Sequence, residues 1–194
     1  MASLTQLGTS LARQGVPLAR FAVARADAHA HSCGKAQCPG RKRSAAAAAS
    51  VVLVCVPAAA ALDAVRAAGD LTGKIVVDCT NPLTWSNGPV WSPPAGSNAA
   101  AIAAALPGVS VLKAFNHFGA EVMAQPNGAD ACVAGDDASA KATVLALARD
   151  MGFTPRDAGP LRNAAVLENL AVLWIHLATQ SGMGRQFYFA FKTP

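Results

Sequence analysis

The strongest constraint on this chain is a pair of short apolar runs, each halted by a proline: Ser50-Val-Val-Leu-Val-Cys-Val-Pro57 and Ile75-Val-Val-Asp-Cys-Thr-Asn-Pro-Leu83. Neither alternates apolar with polar residues, so each reads as a strand covered on both faces, and the proline stops it because it has no N–H for a ladder. Between them, Ala58 to Ala68 predicts a helix, mostly alanine with Leu62, Val65 and Arg66, closing at Gly69-Asp70 and turning through Thr72-Gly73. Strand, helix and strand make a βαβ unit. Its right-handed crossover sets both strand ends on one edge of a parallel sheet, where open α/β sheets hold their ligands.

The rest of the chain extends that pattern. The alanine run 45–49 predicts a helix leading into the first strand, and Val109 to Phe115, Ala131 to Ala134 and Phe153 to Asp157 predict further strands. Asn98 to Leu106 predicts a helix capped by Ser97 or Asn98, Glu121 to Gln125 a helical turn, and Ala138 to Met151 a helix capped by the acids of Gly135-Asp136-Asp137. Thr84 to Asn98 holds Trp85, Trp91, Pro89, Pro93 and Pro94 and predicts a surface loop of lid length. Leu161 to Thr179 carries a helical period through Leu167, Leu170, Ala171, Trp174, Ile175 and Ala178, and Gln186-Phe-Tyr-Phe-Ala-Phe191 predicts a terminal strand.

Composition narrows the class. With 194 residues, 53% of them hydrophobic and 14% charged, the chain suits one domain, 1–194, with helices on both faces of a sheet; residues 1–44 are divergent from that pattern. Pro57, Asp63 and Arg66 break the longest apolar stretch short of the roughly 20 residues of a membrane helix, so a soluble, cytoplasmic protein with no membrane partner is expected. Several arginines with no acid before Asp27 also have the composition of a transit peptide, which keeps an organelle open if residues 1–30 address one. The net charge of +5 sits largely in Arg13, Arg20, Arg25, Lys35 and Arg41-Lys42-Arg43, and no helix-turn-helix or aromatic-interleaved basic sheet accompanies it, so no nucleic-acid partner is expected. Of five cysteines, Cys55, Cys79 and Cys132 fall within apolar strands as small hydrophobes, in keeping with a reducing compartment. His29, His31, Cys33 and Cys38 are ligand types for zinc, but their spacing matches no standard structural pattern and no metal is expected.

The candidate site residues come from the strand ends. Ser3-Leu-Thr-Gln-Leu-Gly8 stands where a dinucleotide-binding chain has Gly-x-Gly-x-x-Gly, and retains only the third glycine, Gly8. Arg25, seventeen residues later and close to the end of a second strand at Arg20 to Ala24, is either a partner for the 2′-phosphate of NADP, with Arg41 to Arg43 adding to its field, or a solvated strand-end arginine. Thr80-Asn81-Pro82 is either a ligand-facing turn or an ordinary Asx turn. Asn116 and His117 end the next strand on the same edge, and His117 is either a proton donor or substrate contact or a structural histidine. No Ser-His-Asp, paired-carboxylate or metal constellation is visible, which disfavours hydrolysis.

These residues together resemble the coenzyme F-420-dependent NADP oxidoreductases, relatives of the N-terminal domain of pyrroline-5-carboxylate reductase. The resemblance runs from about Ala47 to Lys192, through Val51 to Pro57, Gly69 to Leu83, Leu112-Lys-Ala-Phe-Asn116, Ala134-Gly-Asp-Asp137, Asp157 to Arg162, Glu168 and Trp174 to Ala178. It implies a Rossmann-like, doubly wound and mainly parallel sheet, with a C-terminal helix and strand that close the pocket or pair two copies into a homodimer. It implies NADP as cofactor, with Thr5, Gln6, Leu7 and Arg25 near its adenosine and phosphates, Val56 and Pro57 along it, and Asn81 and Pro82 towards the nicotinamide. Ala114, Phe115 and Asn116 would form the pocket for a small-molecule hydride acceptor of deazaflavin or flavin type; quinone, imine and metal-chelate acceptors fit the same edge. The chain departs from the family in two loop glycines and in the first strand, which is expected to be missing. A catalytically silent Rossmann-like binding or regulatory protein is therefore the alternative expectation.

Overall fold

The computed structural model describes residues 46–192 and the backbone of Phe21–Ala24. Its strands are β1 Phe21–Ala24, β2 Val51–Val54, β3 Ile75–Asp78, β4 Leu83–Trp85, β5 Pro89–Trp91, β6 Ser110–Lys113, β7 Asp130–Gly135 and β8 Thr154–Asp157. Its α-helices are α1 Ala61–Ala67, α2 Asn98–Ala105, α3 Ala120–Ala124, α4 Ala138–Asp150 and α5 Ala164–Thr179; short 3-10 turns, Ala58–Ala60 and Leu161–Asn163, lead into α1 and α5. Six strands form one sheet in the order β1-β2-β3-β6-β7-β8, parallel except where β7 meets β6. The register across its middle is one to one, so Val54, Asp78 and Lys113 form a row at the strand ends.

The continuous apolar runs follow from a sheet covered on both faces. Side chains alternate along a strand, so Val52, Val54, Val76 and Val111 face one side, where they meet Ala61 and Val65 of α1 and Ile102 of α2. Val51, Leu53, Val77 and Leu112 face the other, against Val122 and Met123 of α3, Val144 and Leu147 of α4, and Met151 just past α4. The Ser97 hydroxyl caps α2 by accepting from Ala100 N at 3.0 Å, and the Asp137 carboxylate caps α4 by accepting from Ser139 N and Ala140 N. Gly135 lets β7 lie close on β6, because a Cβ there would stand 2.8 Å from Leu112 Cγ.

Two expectations change, and a third gains its place in the sheet. Thr84 to Asn98 is not loop throughout: β4 and β5 pair antiparallel, Leu83 opposite Trp91 and Trp85 opposite Pro89. Asn87 and Gly88 turn the hairpin at positive φ, 49° and 139°, and Pro89 is tolerated because it is the first residue of its strand. Gln186 to Phe191 is not a strand, because its backbone bonds to side chains instead of a neighbouring edge. The Phe187 carbonyl accepts from Trp174 Nε1 at 2.9 Å, Phe191 N donates to the Asp130 carboxylate, and the Phe191 carbonyl accepts from Arg156 Nη2 at 3.3 Å. Finally, Phe21–Ala24, read as the second strand, pairs directly with β2, Ala24 opposite Val54. In doubly wound sheets the place beside that strand belongs to the one carrying the glycine loop, and among the described residues no other strand fills it.

Candidate active site

A cleft of about 400 Å³ opens at the C-terminal ends of β2, β3 and β6. One side is the Cys55-Val56-Pro57 turn with Ala58 and Ala59, the next is Cys79-Thr80-Asn81, and the floor includes Phe115, Asn116, Phe118 and Met123. Trp174, Ile175 and Thr179 of α5, with Arg185 beyond it, supply the far wall. The size and the mixture of aromatic walls with a few polar groups suit a flat organic ring.

What holds this edge is a buried charge cluster. Lys113, Asp78 and Glu168 are each fully buried. Lys113 Nζ donates to Asp78 Oδ2 at 2.8 Å, to Glu168 Oε1 at 3.0 Å and to the Thr80 carbonyl. Two carboxylates against one ammonium leave an excess acceptor capacity, and N–H donors fill it. Thr80 N donates to Asp78 Oδ1, Asn98 N at the start of α2 to Glu168 Oε1, and Trp91 Nε1 to Glu168 Oε2, each at 2.9 Å. The Asn98 amide closes the ring on the Thr80 hydroxyl at 2.5 Å.

Above the cluster two asparagines clasp each other. Asn81 Nδ2 donates to the Asn116 carbonyl, and Asn116 Nδ2 donates to Asn81 Oδ1, both at 2.8 Å. Asn116 Nδ2 also donates to the Leu167 carbonyl at 2.9 Å, so both its hydrogens are used. Asn81 keeps one amide hydrogen and spare acceptor capacity for a ligand in the cleft. Between the two turns, Phe115 adopts a left-handed backbone, φ 57°, which costs a bulky residue on the order of 1–3 kcal/mol and places strain at the cleft floor. Trp174 rests on Gly119, where a Cβ would come within 2.9 Å of its ring.

The structure brings Val56, Pro57, Asn81, Phe115 and Asn116 together around the cleft. Pro82 and Ala114 are buried and do not line it, and the Pro82 carbonyl accepts from Ser92 N at 2.9 Å. Thr5, Gln6, Leu7, Gly8 and Arg25 lie outside the described residues, as do His29, His31, Cys33 and Cys38. Cys132 is a buried strand cysteine, whereas Cys55 and Cys79 stand just past their strands, half-buried at the cleft. His117 does not line the cleft. It is 1% exposed, edge-on to Phe118 with ring centroids 5.0 Å apart, and its Nε2 lies 3.1 Å from the Asp130 carbonyl. A carbonyl only accepts, so Nε2 carries the proton, and burial lowers the ring's pKa to about 4. Sequence reasoning missed the cluster; its signal was a lysine and an aspartate inside strands too apolar to expose either.

Two outcomes follow from this geometry. Lys113→Met leaves two buried carboxylates without their cation and should destabilise the protein by about 3–5 kcal/mol, measured by urea unfolding. His117 is held neutral in the folded state, so the unfolded chain takes up its proton first as pH falls. Stability should therefore drop between pH about 6.5 and about 4, by up to about 3 kcal/mol from this group, and His117→Gln should remove that part of the slope.

Comparison with known proteins gives the cleft a lineage. The family model described as NADP oxidoreductase, coenzyme F420-dependent, matches residues 5–82. The crystal structure of a protein assigned as an F420-dependent NADP-reductase from Arthrobacter sp. FB24 superposes with a TM-score of 0.69 at 33% identity, covering 77% of this chain and 73% of that one. Metalloreductase STEAP3 of Rattus norvegicus is 38% identical over 104 residues, 52% of this chain but only 20% of the relative, so the chain spans about a fifth of that curated protein. A reductive aminase from Aspergillus terreus in complex with NADPH shares the fold, with a TM-score of 0.62 at 20% identity over 93% of this chain and 61% of that one. The sheet, the cleft at its strand ends and the similarity to the Arthrobacter protein converge: the chain belongs to the coenzyme F420-dependent NADP oxidoreductase family.

Proposed function

We propose that this chain binds NADP(H) along the cleft and passes a hydride between the nicotinamide and a second flat ring of deazaflavin or flavin type. The carrying observation is the cleft itself, aromatic on its walls, with Asn81 presenting one unspent amide donor from a turn locked by Asn116. That arrangement fits a carboxamide-bearing ring: Asn81 would hold it in plane, Phe115 and Trp174 would bound its faces, and the Cys55-Val56-Pro57 turn would run beside the rest of the dinucleotide. When bound, the cofactor supplies the hydride. The protein's part is orientation and exclusion of water, which needs no strong general acid, so a buried, neutral His117 is compatible with this chemistry.

Thr5, Gln6, Leu7, Gly8 and Arg25 would hold the adenosine and phosphates in this reading, with Arg25 on the 2′-phosphate. The acceptor is a small molecule; the metalloreductase relative keeps metal chelates among the acceptors to assay. A homodimer would form over α5, whose outward Val166 and Leu173 are 63% and 48% exposed. One observation favours the silent alternative: β1 sits directly against β2, in the place of a glycine-loop strand.

Titration with NADPH and NADH, followed by nicotinamide fluorescence, separates the two. An oxidoreductase should bind NADPH in preference to NADH. Arg25→Ala should erase the preference, at a cost of about tenfold or more in NADPH affinity for a lost charge-assisted contact, and Asn81→Ala should weaken both nucleotides. Absence of binding by either at millimolar concentration would make this a silent family member.

A further inference from the structure

Cys55 and Cys79 follow β2 and β3 directly. The two strands run parallel with Val54 opposite Asp78, and Cys79 N donates to the Val54 carbonyl at 3.0 Å, so the next pair across the ladder is Cys55 and Cys79. By alternation they share the face of Leu53 and Val77, and both pack against the same apolar cluster as those residues. Neighbouring strands lie about 4.8 Å apart, within the Cα separation of about 4.4–6.8 Å that a disulfide spans. Both thiols are free, half-buried and open to the cleft. Cys132 differs: it is buried in β7, and burial pushes its thiol up to about 11, which makes it a poor nucleophile.

We propose that Cys55 and Cys79 form an oxidisable dithiol at the edge of the cleft, closed to a disulfide by hydroperoxides, and that the disulfide form binds dinucleotide more weakly. Cys55 sulfur attacks one oxygen of hydrogen peroxide; an S–O bond forms, the O–O bond breaks, and the departing oxygen leaves with the thiol proton as water. Cys79 sulfur then displaces the hydroxyl of the Cys55 sulfenic acid; the S–S bond forms, the S–O bond breaks, and the Cys79 proton leaves in a second water. Two thiols are oxidised and one peroxide is reduced. The order follows from Cys79, whose thiol is kept protonated by its hydrogen bond with Cys55, by its burial and by the nearby Asp78 carboxylate. Closing the bond draws the two sulfurs to about 2.05 Å, pulling together the turns that carry Val56-Pro57 and Asn81. The effect on binding rests on the proposed function; formation of the disulfide does not.

The test treats the full chain with one equivalent of hydrogen peroxide, blocks remaining thiols with iodoacetamide, and maps tryptic peptides without reduction. Residues 44–66 and 75–113 should appear joined through Cys55 and Cys79, and dithiothreitol should separate them. Phenylarsine oxide, which bridges neighbouring thiols, should prevent the link, and Cys79→Ser should stop at a Cys55 sulfenic acid trapped by dimedone. Alkylation of both cysteines after oxidation, or a link to Cys33 or Cys38 instead, would overturn the dithiol. NADPH titration should then show at least tenfold weaker binding by the oxidised form, restored by dithiothreitol; equal binding by both forms would overturn the coupling. A disulfide that forms in a protein whose reduced form binds no NADPH would uphold the dithiol and overturn the dinucleotide reading.

Discussion

Lys113, buried between Asp78 and Glu168, is the interaction on which the rest of this structure turns. Asp78 and Lys113 are opposite each other on adjacent strands, Glu168 reaches them from α5, and Asn98 and Trp91 bring in the start of α2 and the β4–β5 hairpin. Desolvating three charges is expensive, and such a cluster adds little net stability over an apolar packing of the same volume. It does fix where five separate elements meet. Glu168 and Trp174 lie on one helix, so anchoring the first sets the second at the wall of the cleft.

From that anchor the geometry of the cleft follows step by step. Lys113 holds the Thr80 carbonyl, Thr80 N binds Asp78, and the chain reaches Asn81 already oriented. Asn116 locks Asn81 and is itself tied to α5 through the Leu167 carbonyl. The strained backbone of Phe115 persists because the turns on both sides are overdetermined. The result is a largely apolar slot into which Asn81 presents a spare amide hydrogen, an arrangement that can orient a ring.

Much of this was legible in the sequence, and the failures have physical causes. The buried strands were readable because both faces of the sheet are covered and no alternation interrupts the apolar runs. Ser97 and Asp137 marked their helix starts because capping is local chemistry. The hairpin was missed because Pro89, Pro93 and Pro94 outweighed the Asn87-Gly88 signal, although a proline at the first position of a strand breaks nothing. The terminal strand failed for the opposite reason: aromatic residues raise strand propensity, but here Phe187 stacks on Trp174 and the Phe191 backbone bonds to Asp130 and Arg156. The cluster of Asp78, Lys113 and Glu168 joins residues 35 and 55 positions from Lys113, and no local pattern announces such a contact.

If the cleft held by this cluster is a nicotinamide site, a crystal structure of the chain grown with NADPH will show the ring in it. The nicotinamide ring should lie between Phe115 and Trp174, with its carboxamide bonded to the free Asn81 amide hydrogen and the dinucleotide running past Val56 and Pro57. Nucleotide bound elsewhere, with Asn81 making only its bonds to Asn116, would contradict it.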